Sequence, residues 1–186
     1  MRPTSRLLAV LLSLAMAGCG GGGSLVDGLP AGGGGGGGGG TPPPATSDQQ
    51  FNLDRLNAFR SQLGAPPLVL DAQLNAFALA GSQQLSVDHT PHKHFSDACN
   101  AGTMFTTDGF QGSAGENQGD PNGWPAATNV AAQIDQILTA MWNEGPGSGA
   151  SHGHYNNMVN PAFHRVGVGL LLDPNGKLYF TNDFSQ

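Results

Sequence analysis

Charge is scarce in this chain of 186 residues: Asp, Glu, Lys and Arg together make up 11% of it. Seven Lys and Arg stand against thirteen Asp and Glu, a net charge of −6. That balance excludes broad contact with a phosphate backbone, which needs clustered cations, so nucleic acid is not an expected partner. With so little charge, the folded surface must be covered by Asn, Gln, Ser, Thr and Gly, which suits an extracytoplasmic protein. Cysteine is nearly missing, with only Cys19 and Cys99, and glutamate is as rare, with only Glu116 and Glu144. The common hydrolytic and nucleotide motifs are missing too. Neither Glu follows a His, so there is no His-Glu-x-x-His. Gln111-Gly112-Ser113-Ala114-Gly115 lacks the first Gly of a serine-hydrolase elbow. Gly145 to Gly149 does not end in Lys-Ser/Thr, so it is no phosphate loop. A lone Cys99 near three His reads as incidental rather than as a thiol nucleophile.

Glycine, in contrast, is abundant: 30 residues, of which 14 fall between Gly20 and Gly40. Ahead of them, Arg2 and Arg6 form a positive end, and Leu7 to Met16 form an apolar run of ten residues broken by one Ser. Ten residues cannot span a bilayer, which takes about 20, but they suffice for a secretory signal. The run ends in Met16-Ala17-Gly18-Cys19, which resembles the bacterial lipobox, with Met16 where Leu is usual; an ordinary signal peptide cleaved nearby is the alternative. Residues 1–18 are therefore expected to be a signal peptide and Cys19 a lipidated mature N-terminus. Gly20 is compatible with sorting to an outer membrane, which predicts an exported lipoprotein facing the periplasm or the cell surface. Removal of Arg2 and Arg6 leaves five cations against thirteen anions, or −8. Membrane attachment would then rest on acyl chains alone, not on attraction to anionic lipid. Residues 19–48, with nine consecutive Gly from Gly32 to Gly40 and Pro42-Pro43-Pro44, read as a disordered tether. As a coil of about 28 residues it would reach roughly 30 Å. With Cys19 lipidated, Cys99 has no partner left for an intrachain disulfide.

Residues 49–186, about 140 residues, make one domain able to bury roughly two-thirds of its unfolded surface. Asn52 is expected to cap a helix carrying Leu53, Leu56, Phe59 and Leu63, stopped by Gly64 and Pro66-Pro67. Leu68-Val69-Leu70 follows as an extended link. Asp71 caps a second helix whose stripe of Leu74, Phe77, Ala78, Gly81 and Leu85 is narrow and rich in small residues, as close packing requires. Between Val87 and Pro125 periodicity is lost, and so long a stretch is expected to be functional. Val130, Ile134, Ile137, Leu138 and Met141 mark a third helix. Val166 to Leu172 and Leu178 to Phe184 flank Asp173-Pro174-Asn175-Gly176, a β-hairpin. Helices followed by strands without βαβ alternation predict an α+β fold with an antiparallel sheet.

The chemistry-bearing residues cluster. Five of six His fall in two patches: His89, His92 and His94 precede Glu116, and His152 and His154 follow Glu144. Two imidazoles and two carboxylates suit a divalent metal such as Zn²⁺. The ligands are far apart in the chain and follow no fixed spacing, so each His alone reads equally as a solvated loop residue and each Glu as a surface or capping carboxylate.

His92 to Phe95, Gly115-Glu116-Asn117-Gln118, Ala140 to Pro146, Gly153 to Met158 and Phe163 to Gly169 resemble, in order, the motifs of the CAP superfamily, the SCP domains of cysteine-rich secretory, antigen 5 and pathogenesis-related proteins. Asn57, Arg60 and Pro67-Leu68 agree, so the likeness extends over Asn52 to Ser185. It implies an α-β-α sandwich, a small antiparallel sheet between helical layers, with a cleft holding two His and two Glu. Matched motif by motif, Glu116, Glu144 and His154 fall on three of the four places. The fourth falls to His92, three residues before Phe95, with His94 as the alternative and His89 behind both. Glu144 follows Trp142 by two residues where many members have three, and the stretch from Phe95 to Ala114 is longer than in compact members.

Two functional classes follow. The first is a lipid-anchored binding module whose tetrad holds a divalent metal, Zn²⁺ foremost, and whose cleft takes a small hydrophobic or glycan ligand. The second is a metal-assisted hydrolase of peptides or cell-wall polymer using the same tetrad. The binding module is favoured, because no nucleophile or separate general base remains once all four residues bind metal. Oligomeric state is not legible in the sequence.

Overall fold

The computed structural model describes residues 45–123 and 129–186. The signal segment, Cys19 and the tether as far as residue 44 lie outside the described residues. The described chain folds as α1 (Ser47–Ser61), β1 (Val69–Leu70), α2 (Ala72–Asp88), α3 (Lys93–Ala101), β2 (Ala114–Gly119), α4 (Val130–Trp142), α5 (Gly153–Val159), β3 (Arg165–Leu172) and β4 (Leu178–Ser185). The sheet order is β1-β3-β4-β2. β3 and β4 form the expected hairpin, and β2 adds antiparallel to β4. The short β1 lies parallel to β3, so the sheet is mixed.

Several boundaries differ from expectation for local reasons. Asn52 is not a cap: α1 begins earlier, where Thr46 accepts a hydrogen bond from the Gln49 backbone and the Gln49 side chain accepts one from the Thr46 backbone, a capping box. Asn52 is instead fully buried inside the helix. Asp71 caps α2 as expected, accepting from the Gln73 and Leu74 backbones at 2.9 and 3.0 Å. The stretch read as lacking periodicity contains α3 and β2. Cys99, expected to stand as an unpaired thiol, is not a free cysteine; it is disulfide-bonded.

Two helical layers enclose the sheet. On one face Leu56, Ile134, Ile137, Leu138, Met141 and Met158 pack against Val166, Val168, Phe180 and Phe184. On the other face α2 lies so close to β3 that a Cβ on Gly167 or Gly169 would come within 2.2 Å of the Leu74 or Ala78 backbone. The small-residue stripe of α2 thus does what its spacing predicted. A second cluster, with Leu74, Phe77, Phe95, Met104 and Phe110, joins α2 to α3 and the loop that follows. Arg60, fully buried, donates to the carbonyls of Pro66, Met158, Asn160 and Phe163 and so ties α1 to the end of α5.

Candidate functional site

β2 is the edge strand beside β4, and its polar residues point inward. Side chains on a strand alternate between faces, so Glu116 and Gln118 share the face that α2 covers. Directly across on β4 stand Asp183 and Thr181. Gly81 on α2 makes room: a Cβ there would meet Gln118 Nε2 at 3.3 Å and Glu116 Oε2 at 3.5 Å. Thr181 Oγ1 accepts from Gln118 Nε2 at 3.1 Å, and Ser82 of α2 bonds the same oxygen at 2.8 Å.

His92 reaches this row from the turn between α2 and α3. Its φ of +64° is in the left-handed region, a conformation that costs a non-Gly residue energy and needs surrounding contacts to hold it. Two contacts do so. The His92 backbone N–H donates to Gln118 Oε1 at 2.7 Å, and His92 Nδ1 lies 2.9 Å from Glu116 Oε1. Across the cleft, Glu144, just past the end of α4, is spent at the start of α5. Its Oε2 accepts from the His154 and Tyr155 backbones at 3.0 and 3.3 Å, and its Oε1 lies 2.5 Å from His154 Nδ1. The site is therefore two His–carboxylate pairs, with the His92 and His154 ring centroids 6.4 Å apart. Both imidazoles are largely buried. Among the described residues neither Nε2 has a hydrogen-bond partner, and neither is among the fully buried polar atoms that lack one.

His94 does not join the site. Its ring lies against Phe77, centroids 4.4 Å apart, and its Nε2 is buried without a partner. His89 is also elsewhere, its Nδ1 2.8 Å from Asp120 Oδ2. His152 points its Nδ1 at the carbonyls of Glu144 and Gly145.

The electrostatics are set by burial. Glu116 Oε2 and both oxygens of Asp183 are buried without hydrogen-bond partners. Burial pushes the Glu116 carboxyl up to about 8. Burial, and then the charge of Glu116 opposite, pushes Asp183 well above the usual carboxylate range. Asp183 has no hydrogen-bond partner, and Glu116 is the member that engages the imidazole. Burial also lowers the basicity of His92, favouring the neutral ring.

A neutral imidazole whose Nδ1–H donates to a carboxyl oxygen presents its Nε2 lone pair outward, the usual arrangement behind a metal-bound His. The donor chemistry therefore fits a divalent ion met by His92 and His154, with Glu116 and Glu144 behind them. Among the described residues no group of three or more His, Cys, Asp or Glu is gathered as a ligand set; the two imidazoles are what the cleft offers. Asp183, Gln118, Asn117 and Asn157 have roles here that the sequence did not assign. The one available signal is Asp183 itself, a carboxylate at alternate spacing with Thr181 and Tyr179 in a strand that also carries Asn182 and Ser185.

The model of the cysteine-rich secretory protein family, CAP, matches residues 53–184. No curated protein is detectably similar in sequence. Among solved structures, an outer surface protein from Borrelia burgdorferi is similar, with a TM-score of 0.56, 16% identity, and coverage of 75% of this chain and 92% of that one. NaASP2 with Zn²⁺ has a TM-score of 0.53 and 15% identity, covering 75% and 80%. Na-ASP-1 has a TM-score of 0.52 and 15% identity; 75% of this chain is covered, but it spans only 38% of the length of that protein. At these identities the likeness is one of fold.

Proposed function

Since the chain belongs to the cysteine-rich secretory protein (CAP) family, we propose that it is an exported, Cys19-anchored binding module whose cleft holds a divalent metal between His92 and His154. The observation that carries this reading is the pairing of each largely buried imidazole with a buried carboxyl group through Nδ1, while Nε2 has no hydrogen-bond partner among the described residues. Glu116 and Glu144 complete the tetrad from behind: each orients its ring and holds the tautomer that leaves Nε2 free. NaASP2, a protein of the same fold, has a crystal structure with Zn²⁺, which makes that ion the first to test.

A metal held there is a Lewis acid with most of its coordination shell left to water or to oxygen atoms of a ligand, such as a glycan or the polar end of a small hydrophobic molecule. The protein's part is to bind and orient. Glu144 has its oxygens taken by two backbone N–H groups and an imidazole, and Glu116 is buried. Neither offers a solvent-facing carboxylate for general-base work, which favours binding over hydrolysis.

Export and anchoring rest on Arg2, Arg6, the apolar run to Met16 and Cys19. Among the described residues no helix is long and apolar enough to cross a membrane. Equilibrium dialysis of the purified protein against Zn²⁺, with metal analysis, tests the cleft. Saturable binding near one ion per chain is expected; no retention above that of a denatured sample contradicts the reading.

A further inference from the structure

The two His–carboxylate pairs stand on different parts of the fold. Glu116 belongs to β2 and His154 to α5, a helix of seven residues. A helix so short has little stability of its own, so something must fix where it sits against the strand. Among the described residues, the hydrogen bonds that join β2 to α5 run through two asparagines. Asn117 Nδ2 donates to the His154 carbonyl at 3.0 Å. Asn157 Nδ2 donates to the Glu116 carbonyl at 3.0 Å and to Asn117 Oδ1 at 2.9 Å. The bonds form a closed link: each asparagine grips the backbone of a tetrad residue on the opposite element, and each grips the other. Asn117 is fully buried, so its amide has no water to fall back on if the link is broken. Gly115 lets the link close, since a Cβ there would lie 2.8 Å from Asn157 Oδ1.

We infer that Asn117 and Asn157 are positioning residues: a crossbar that sets the separation of the His92 and His154 imidazoles and so the affinity of the cleft for its metal. The inference rests on the metal-binding reading of the cleft. Neither asparagine presents a group to the metal, and each acts through the backbone that carries Glu116 or His154. Groups that orient metal ligands from outside the coordination shell typically change affinity by about 10–100-fold when removed.

The test compares the full chain with three variants. Asn157→Ala removes the donor, Asn157→Asp keeps the shape but turns an acceptor toward two acceptors, and Gly115→Ala keeps every polar atom but displaces Asn157. Ile137→Val, in the core on the same side of the sheet, is the control for lost stability, with the melting temperature followed for each protein. Zn²⁺ affinity is read by competition with a chromophoric chelator, and the visible spectrum of bound Co²⁺ is read at saturation. The crossbar predicts affinities at least about tenfold weaker in all three variants and altered Co²⁺ absorption per bound ion, with the control matching wild type in both. Wild-type affinity and spectrum in the Asn157 variants would overturn the crossbar alone, as would equal losses in the control. Absence of Zn²⁺ binding in wild type would instead overturn the underlying reading, and the crossbar with it.

Discussion

Glu116 on β2 and Asp183 on β4 lie directly opposite each other on the sheet face beneath α2, and both are buried. Three of their four carboxyl oxygens have no hydrogen-bond partner, the fourth being Glu116 Oε1 against His92. A buried polar atom left unpaired costs about 1–3 kcal/mol, so the pair is a source of instability retained beside the cleft.

That cost depends on pH, and its sign is fixed. Both carboxyls hold their protons more tightly folded than unfolded, so this contribution favours the fold below the ordinary carboxylate range and is lost as pH rises toward about 8. His92, whose basicity burial lowers, works the other way and weakens the fold on acidification. Asp183→Asn removes the carboxyl that has no partner while keeping its shape. Its melting temperature should exceed that of wild type, and the difference should widen from about pH 5 to about pH 8. A difference that is constant across that range would contradict the buried-pair account.

Arg60 is the latch on the far end of α5. Arg60→Met keeps the volume but strands the carbonyls of Pro66, Met158 and Phe163, while that of Asn160 still accepts from the Phe163 backbone. At about 1–3 kcal/mol for each of the three groups left unsatisfied, a loss of about 3–9 kcal/mol in denaturant unfolding is expected. A loss below about 1 kcal/mol would mean that water satisfies those carbonyls and the latch is dispensable.

The contact between α2 and β3 leaves no room for a methyl group. Gly167→Ala and Gly169→Ala each place a Cβ against helix backbone, which cannot swing aside as a side chain can. Each should cost about 1–3 kcal/mol or more through overpacking. Gly153→Ala, where a Cβ meets nothing within 4 Å, should stay near wild type. Equal effects at the three positions would contradict the close packing.

Anchoring is tested at Cys19. Cys19→Ser should move the protein from the membrane to the soluble fraction, and the intact mass of the wild-type membrane form should carry acyl chains. The same mass measurement reports directly whether Cys19 carries a lipid thioether. Unchanged membrane association of Cys19→Ser would overturn the anchor.

What the sequence made legible were the elements that announce themselves locally. α4 follows from Ile134, Ile137, Leu138 and Met141 on one face, and the hairpin from its Pro174-Asn175-Gly176 turn, where Gly176 takes the positive φ. α3 and β2 were not legible. Ala114 to Gly119 is a strand of small and polar residues with little intrinsic β preference; pairing with β4 and contacts with α5 hold it in place. Lys93 to Ala101 is helical because Phe95 and Ala98 pack into the α2 cluster. The positions of Glu116, Glu144 and His154 came from the order of motifs, and periodicity had no part in it. Asp183 is not legible as a site residue because alternation normally sends a strand's polar residues to solvent, whereas here the polar row lies under a helix that approaches closely enough to bury it.

The most direct measurement is a set of Zn²⁺ titrations on wild type and single variants at about pH 7.5 and about pH 5.5. Imidazole must shed its proton to bind metal, so wild-type affinity should fall steeply at the lower pH. His92→Ala and His154→Ala should lose binding, Glu116→Ala and Glu144→Ala should weaken it by about 10–100-fold, and His94→Ala should bind as wild type does. Wild type with no pH-dependent binding, or His154→Ala and Glu116→Ala with unchanged affinity, would contradict the metal cleft.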